Sequence, residues 1–362
     1  MKRIIVWLLV LAVLTGCGGP KRMEPELDPV YDSRVYSLEL PEAATYELAG
    51  NRKKIVAMPF FNNGENGGGN VSGGTAIYTL EAAGTAVTGR LIAELEEPCQ
   101  LLGMDPAGCV WIAPRAAGNS IVRQLDPESG TGLTIDLGAP LWQGGVFGFA
   151  ADDSCCYFLC NFLSPDQSRI LIYDRQGEKL FDRELEEYCQ GTLGYLPREA
   201  EWAEELEGRE DDRLLSMLFP EGPNDSVMLT SARDGSVLLT LIRKSPIDAE
   251  RYCILCSIGE DFSLTPRMYY EVAADGGSPY GLPMPSPEDR YSVLSPQKDA
   301  LCGVDLEAGT LTPLAGWAHL ETGPSWFTGW ANSVAPGPDG TIWSLEWSDS
   351  EGRCVIRAVG PK

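Results

Sequence analysis

The stretch Asp339-Gly340-Thr341-Ile342-Trp343 sets an acidic residue and a glycine before a short β-branched run that ends on tryptophan. Such a run is a tight turn feeding a strand. An aspartate side chain accepts from the backbone of a turn, glycine tolerates positive φ, and β-branched and aromatic residues suit a pleated surface. The same order recurs in Asp105-Pro-Ala-Gly-Cys-Val-Trp111 and in Asp152-Asp-Ser-Cys-Cys-Tyr157, and without the aromatic in Asp234-Gly-Ser-Val-Leu-Leu239. A second pattern is a strand ending in aspartate, then a glycine turn, then another strand. It appears as Val122-Arg-Gln-Leu-Asp126 before Gly130, Leu171-Ile-Tyr-Asp174 before Gly177, and Gly303-Val-Asp305 before Gly309.

Spacing lifts these motifs above chance. Asp126 and Asp174 lie 48 residues apart, and Asp174 and Asp305 lie 131 apart, near three units of about 44. Ser257-Ile-Gly-Glu-Asp261, about 47 residues before Asp305, stands where a degenerate copy is due. A period in the forties with short strands is the signature of a β-propeller. The turn-plus-tryptophan copies resemble the loose repeats of bacterial propellers, over most of residues 50–360. The expected fold is therefore all-β, with six blades near 52–97, 98–139, 145–187, 225–274, 276–318 and 326–360. A seventh blade around 188–224 is the alternative count, and a pair of β-sandwiches the alternative architecture. The last copy ends one strand short after Cys354-Val-Ile-Arg-Ala-Val359. A strand around Ala44-Tyr46-Leu48 is expected to complete it and so remove an open edge.

Residues 197–219 break the β pattern. Pro197 opens a run with Trp202 and Leu206 four apart, followed by Leu214, Leu215 and Leu218, which predicts a helical insertion divided at Gly208. Eight acids between Glu199 and Asp212 give it a negative outer face. It is either a solvated decoration or a lid or partner-docking element.

The N-terminus carries an address. Lys2 and Arg3 precede an apolar run, Ile4 to Leu14, too short to span a bilayer comfortably, and Leu14-Thr15-Gly16-Cys17 follows. This pattern resembles the lipobox of bacterial lipoproteins. The resemblance implies cleavage between Gly16 and Cys17, and acyl chains of the palmitate type on Cys17. It also implies tethering at the extracytoplasmic face of the cell membrane. The expected organisation is a signal peptide at 1–16, an anchor and flexible spacer at 17–40, and a single propeller domain at 41–362. Gly19 to Pro29 is polar and proline-bearing, as a spacer should be.

The chain of 362 residues has a formal net charge of −24 at pH 7, which becomes −26 when Lys2 and Arg3 leave with the signal. That field repels phosphate backbones and anionic lipid heads, so nucleic acid is excluded as a partner. Membrane contact is expected through the lipid on Cys17 alone. Ten further cysteines remain, and free thiols are the expected state, with disulfides or a metal site as the alternatives. Cys155, Cys156 and Cys160, like Cys253 and Cys256, lie in apolar runs, where cysteine acts as a small hydrophobe. No cofactor is expected and no metal site. His319 is the only histidine, which rules out multi-histidine metal centres. Gly64 to Gly74 is glycine-rich but lacks the Gly-Lys-Ser/Thr of a phosphate loop and precedes a strand-like run.

Trp317, Trp326, Trp330, Trp343 and Trp347 place five of the nine tryptophans in the last 46 residues. They form the candidate ligand surface, since exposed tryptophan beside carboxylates holds sugar rings or cations. Packing between blades is the competing use. The catalytic residues are unknown from sequence. The chain is similar to propeller domains that accompany extracellular solute-binding proteins. That likeness implies a binding module for a surface protein, saccharide or peptide, accessory to nutrient capture. A glycan hydrolase or lyase on the same scaffold is the alternative, and a ligand-free scaffold the third. An aromatic patch beside the 197–219 insertion would favour protein partners.

Overall fold

The computed structural model describes residues 31–43, 45–51, 53–60, 73–116, 118–130, 132–163, 168–205, 226–231, 236–245, 250–272, 283–285, 291–295, 300–316, 334–348 and 353–361. The signal, Gly16, Cys17, the 19–29 spacer, His319, and most of the glycine-rich stretch lie outside them. So do residues 206–219 of the expected insertion.

The described chain is all-β with two short helices, in a propeller-like arrangement of antiparallel meanders. Three sheets have four strands each. The first runs β9 (Leu141–Ala151), β10 (Cys155–Phe162), β11 (Ser168–Asp174), β12 (Lys179–Glu184). The second runs β13 (Val227–Ser231), β14 (Val237–Lys244), β15 (Arg251–Ile258), β16 (Leu264–Val272). The third runs β17 (Pro283–Pro285), β18 (Tyr291–Ser295), β19 (Ala300–Asp305), β20 (Thr310–Gly316).

The remaining strands join into one sheet of eleven. β1 (Tyr31–Glu39), β2 (Thr45–Gly50), β3 (Ile55–Phe60), β4 (Gly74–Ala83) and β5 (Ala86–Met104) come first in the chain. β6 (Val110–Pro114), β7 (Ile121–Leu125) and β8 (Thr134–Asp136) follow, and β21 (Val334–Pro336), β22 (Ile342–Ser348) and β23 (Arg353–Pro361) end it. β5 is long because it serves two meanders. Its first half pairs with β4, and its last residues, Cys99–Met104, pair with β6.

The edge beside β23 is closed by β1, with Tyr31 opposite Pro361 and Ser37 opposite Val355. β1 also runs parallel to β5, with Ser37 opposite Ala86. The closing strand is thus Tyr31–Glu39, inside the segment expected to be spacer. The stretch expected to close the sheet forms β2 instead, which pairs with β3. The physical reason is geometric: β2 begins its own meander, pairing with β3 at the end of the sheet order, while Tyr31–Glu39 lies between β5 and β23.

Between β12 and β13, the helices α1 (Leu185–Gln190) and α2 (Glu199–Glu205) replace the strands that a seventh repeat needs, as far as residue 205. They are no solvated decoration. Leu185, Tyr188, Cys189, Leu196 and Trp202 are buried in one core with Leu159 and Ile172 of one sheet and Leu239 and Ile254 of the next. A neighbouring core, built on Trp111, Phe158 and Leu171, joins the β5–β8 meander to β9–β12.

The turn motifs repeat in three dimensions. Between first and second strands, Asp105 N–H donates to the Cys109 carbonyl (3.0 Å), Asp152 to Cys155 (3.0 Å), Asn51 to Lys54 (2.9 Å) and Gly337 to Thr341 (2.7 Å). The repeat's register therefore aligns Gly337, not Asp339, with Asp105. Trp111 and Trp343 then coincide, each six residues on. In the first, the indole N–H donates to the Asp105 carboxylate at 3.1 Å; in the second, to the Thr341 hydroxyl at 3.0 Å. Glycine is required at 337 because a Cβ there would sit 2.5 Å from the Trp343 ring.

The ten cysteines from Cys99 to Cys354 are free thiols, eight of them buried. Burial pushes the thiols of Cys156, Cys253 and Cys256 up to about 12. No helix among the described residues is long and apolar enough to cross a membrane.

Candidate docking surface

The helical segment is fixed to its sheet by a buried charge. Arg243, on β14, is fully buried, and its Nε lies 3.3 Å from Oε1 of Glu199 at the start of α2. Its Nη2 donates to the Thr192 hydroxyl at 2.6 Å, which in turn donates to the Cys189 carbonyl at the end of α1 (2.6 Å). The other Glu199 oxygen accepts from the Gly194 backbone. One guanidinium thus holds α1, the connecting turn and α2 together. Desolvation lowers the Arg243 pKa, and the carboxylate of Glu199 opposes that shift. Glu199 is therefore an inward acid, unlike its neighbours Glu201 and Glu204, which are exposed.

From this anchor an aromatic run leads to the surface. Trp202, buried on α2, lies 5.8 Å from Tyr252 of β15. Tyr252 lies 6.4 Å from Tyr269 of β16, and Tyr269 meets Tyr195 edge-to-face at 6.1 Å. Tyr269 is 41% exposed. Strand alternation explains the grouping: Ile254 pairs with Tyr269 and Tyr252 with Glu271, so these four share the sheet face that receives the helices.

Carboxylates border the rings. The Tyr252 hydroxyl donates to Glu250 at 2.6 Å, and that bond, with burial, raises the Tyr252 pKa. Arg198 Nη1 reaches the same Glu250 oxygen at 2.7 Å, while its Nε lies 3.3 Å from Glu201. The surface offers π-faces and acids on a rigid support. Aromatic rings of this kind provide contact area at low entropic cost, and their faces attract cations.

Of the tryptophans singled out in the sequence, Trp343 is the one whose side chain is among the described residues. Trp343 is 5% exposed and stacks on Tyr36 at 6.1 Å, so its ring is used in the core. Trp347 lies on β22, four residues further along the strand. Trp317, Trp326 and Trp330 lie outside the described residues. Among the described residues the exposed tryptophan is Trp142, at 50%, with Leu163, at 52%, just past the end of the paired strand β10. Tyr195 and Tyr269 escaped notice because 74 residues separate them. The available signal was the alternation in Thr265-Pro-Arg-Met-Tyr-Tyr-Glu271, which sets Tyr269 opposite in phase to the buried Met268.

Other polar clusters are already saturated. Asp105 is fully buried, and its carboxylate accepts from Gly108 and Cys109 N–H, Trp111, Gln124 and Arg175 at 2.8–3.1 Å. Glu47 binds Arg115 at 3.0 Å and the Leu101 N–H at 2.7 Å; burial raises its pKa. Among the described residues, no three His, Cys, Asp or Glu side chains gather as a metal site would require. An open cleft beside the closing strand is lined by Val35, Ser37, Thr85 and Arg353.

No family model and no curated protein matches the chain. Solved structures do. A functionally unknown protein from Desulfotomaculum acetoxidans is 10% identical, with 77% of this chain and 75% of that one covered and a TM-score of 0.37. A quinoprotein alcohol dehydrogenase-like protein from Bacteroides thetaiotaomicron is 10% identical, with 88% and 64% covered and a TM-score of 0.34. A structure from a study of two prolyl endopeptidases is 11% identical and covers 98% of this chain, which spans 45% of that one, with a TM-score of 0.42.

Proposed function

We propose that this protein is a lipid-anchored, six-bladed β-propeller at the extracytoplasmic face of the membrane, serving as a partner-binding module. The observation that carries the binding reading is the aromatic run from Trp202 to Tyr269, brought to the surface beside a helical segment pinned by the Arg243–Glu199 pair. A rigid aromatic surface with a polar border is how protein interfaces are built.

The blade count is supported by the order in which first strands touch. β2 contacts β5, β5 contacts β9, β9 contacts β13, β13 contacts β17, β17 contacts β21, and β21 returns to β2. The anchor is supported by the residues around Gly16 and Cys17. β1 begins fourteen positions after Cys17. At a maximum of roughly 3.5 Å per residue, that length reaches about 50 Å, enough to stand a domain on a membrane.

Two readouts test the proposal on the full-length chain. Metabolic labelling with an alkyne palmitate should mark the wild type and not Cys17→Ser, and a correctly cleaved Cys17→Ser that still partitions with detergent would defeat the anchor. A thermal-shift screen in detergent against peptides and oligosaccharides should give a peptide hit. A ligand at a hundred times its Kd stabilises by about 2.7 kcal/mol. Turnover of a glycan, with no peptide stabilisation, would replace the binding role with an enzymatic one.

A further inference from the structure

We infer that the protein pairs with a second copy of itself through the outer edge of β1, with residues Tyr31–Val35 of the two chains antiparallel about a two-fold axis.

β1 uses one edge fully and the other only in part. Its register with β23 runs unbroken from Tyr31 opposite Pro361 to Ser37 opposite Val355, whereas its pairing with β5 covers Ser37–Glu39. The Ser37 N–H donates to the Thr85 carbonyl at 3.0 Å, so the main chain of Ser37 faces away from β23. Strand alternation gives Ser33 and Val35 the same outward direction. Among the described residues, no strand meets that side of Tyr31–Tyr36. The open cleft at Val35, Ser37, Thr85 and Arg353 adjoins it, and Val35 is 47% exposed.

The other outer strands are blunted, as exposed edges usually are. β8 has three residues. β16 contains Pro266 and β20 contains Pro313, each beside a register shift. β12 is shifted at Ile172–Tyr173 and carries Asp182, paired with Arg169 and Lys179. The outer part of β5 is shifted at Ile77–Tyr78. Tyr31–Val35 has neither a proline nor a shift.

This edge is also complementary to itself. The outward rows meet when odd positions oppose odd positions. Centring the pair on Ser33 sets Tyr31 opposite Val35 of the second copy, and Asp32 opposite its Arg34. The neighbouring registers that keep the rows together set Asp32 against Asp32, or Arg34 against Arg34. Opposite charges across a strand pair stabilise it and like charges do the reverse. Sign alone makes this choice, whatever else Arg34 contacts. So short an edge makes a small interface, and the pair is weak in solution. Tethering two copies to one membrane would raise their effective concentration, but the inference does not need the anchor.

The test is cross-linking of full-length Ser33→Cys by a short bismaleimide in excess detergent. The parent chain, which keeps the half-buried Cys109 and Cys354, sets the background. Ser33→Cys should give a dimer that the parent does not. Adding Asp32→Arg or Arg34→Asp should each cut the yield about tenfold, and mixing those two chains should restore it to within about twofold. Val35→Pro removes an outward N–H and no bond to β23, so it should abolish the dimer with an unchanged denaturation midpoint. No dimer from Ser33→Cys overturns the inference. So does a yield indifferent to charge reversal, or a mixture that fails to rescue. Labelling by a monofunctional maleimide without dimer would leave the edge to another protein's strand, and resistance to that label would mean an edge already covered; both overturn it.

Discussion

Arg175 Nη1 lies 2.9 Å from Oδ2 of Asp105, across the boundary between two meanders. Arg175 sits in the β11–β12 hairpin and Asp105 in the turn before β6, and the same guanidinium also donates to the Asp152 carbonyl. The preceding boundary repeats the arrangement with charges reversed. Lys54, after the β2–β3 turn, meets Glu128 in the β7–β8 hairpin at 2.9 Å. The two pairs differ in worth because Asp105 is fully buried, whereas Glu128 is largely exposed. Arg175→Ala leaves a buried carboxylate short of a partner and should cost ~3–5 kcal/mol. Lys54→Ala should cost under about 1 kcal/mol. Urea denaturation of both variants checks the contrast, and equal losses would refute it.

Phe262 predicts an inversion of the usual glycine rule. In the β11–β12 hairpin, Asp174 N–H donates to Glu178 and Gly177 returns to Asp174, with Gly177 at φ 87°. In the β15–β16 hairpin the same bonds join Gly259 to Ser263 and Phe262 to Gly259, and Phe262 takes φ 61°. The bulky residue is held there by contact with Phe181 at 5.6 Å, while its carbonyl accepts from Tyr188 at 2.9 Å. Removing the ring destabilises. Glycine, however, also relieves a left-handed backbone strain of ~1–2 kcal/mol that alanine keeps. Phe262→Ala should therefore be the less stable of the two by about 1 kcal/mol. Equal stability in chemical denaturation would contradict this.

Breaking the buried pair under the helices should loosen them selectively. Glu199→Ala leaves the Arg243 charge without its carboxylate, at a cost of ~3–5 kcal/mol, while joint replacement by Glu199→Leu and Arg243→Met should recover most of the loss. Limited proteolysis should show new cleavage between residues 185 and 205 in the single variant only. Cleavage spread evenly over the chain would argue against a local anchor.

Alkaline pH should unfold the protein early. An unfolded thiol ionises near 9, whereas burial holds Cys99 up to about 11 and Cys156, Cys253 and Cys256 up to about 12. Between those values the native state keeps protons that the unfolded state releases, so stability is full below pH 9 and falls as pH rises toward 12. Each such thiol contributes up to about 1.4 kcal/mol per pH unit. Denaturation midpoints at pH 8, 9.5 and 10.5 measure the slope. Cys256→Ala should flatten it, and an unchanged slope would remove that thiol from the account.

What the sequence reveals is what short-range chemistry writes. The hairpins at Asp126–Gly130, Asp174–Gly177 and Asp305–Gly309 are legible because one carboxylate and one glycine make each turn. Their glycines all take positive φ. The copy at 257–261 is harder to see, since glycine and phenylalanine have exchanged the roles of aspartate and glycine. Long-range pairing is not written locally. Tyr31–Glu39 alternates polar and apolar residues weakly, and its partner lies over 300 positions away. The aromatic surface was hidden for the same reason, while Trp343 drew attention although its ring is stacked on Tyr36.

The zipper between Tyr31–Ser37 and Val355–Pro361 also sets an order of assembly. While the chain emerges, β1 can meet β5 only over Ser37–Glu39, because the strand that pairs with Tyr31–Ser37 follows more than 300 residues later. Every other meander can form from neighbours in sequence. Loop closure on this scale is slow, and the edges of β22 and β1 stay open meanwhile. A chain cut before residue 353 would keep nearly all its mass and still leave its first and last meanders unjoined. Closure thus couples two distant moments of synthesis: a strand made late decides how most of a strand made early is held.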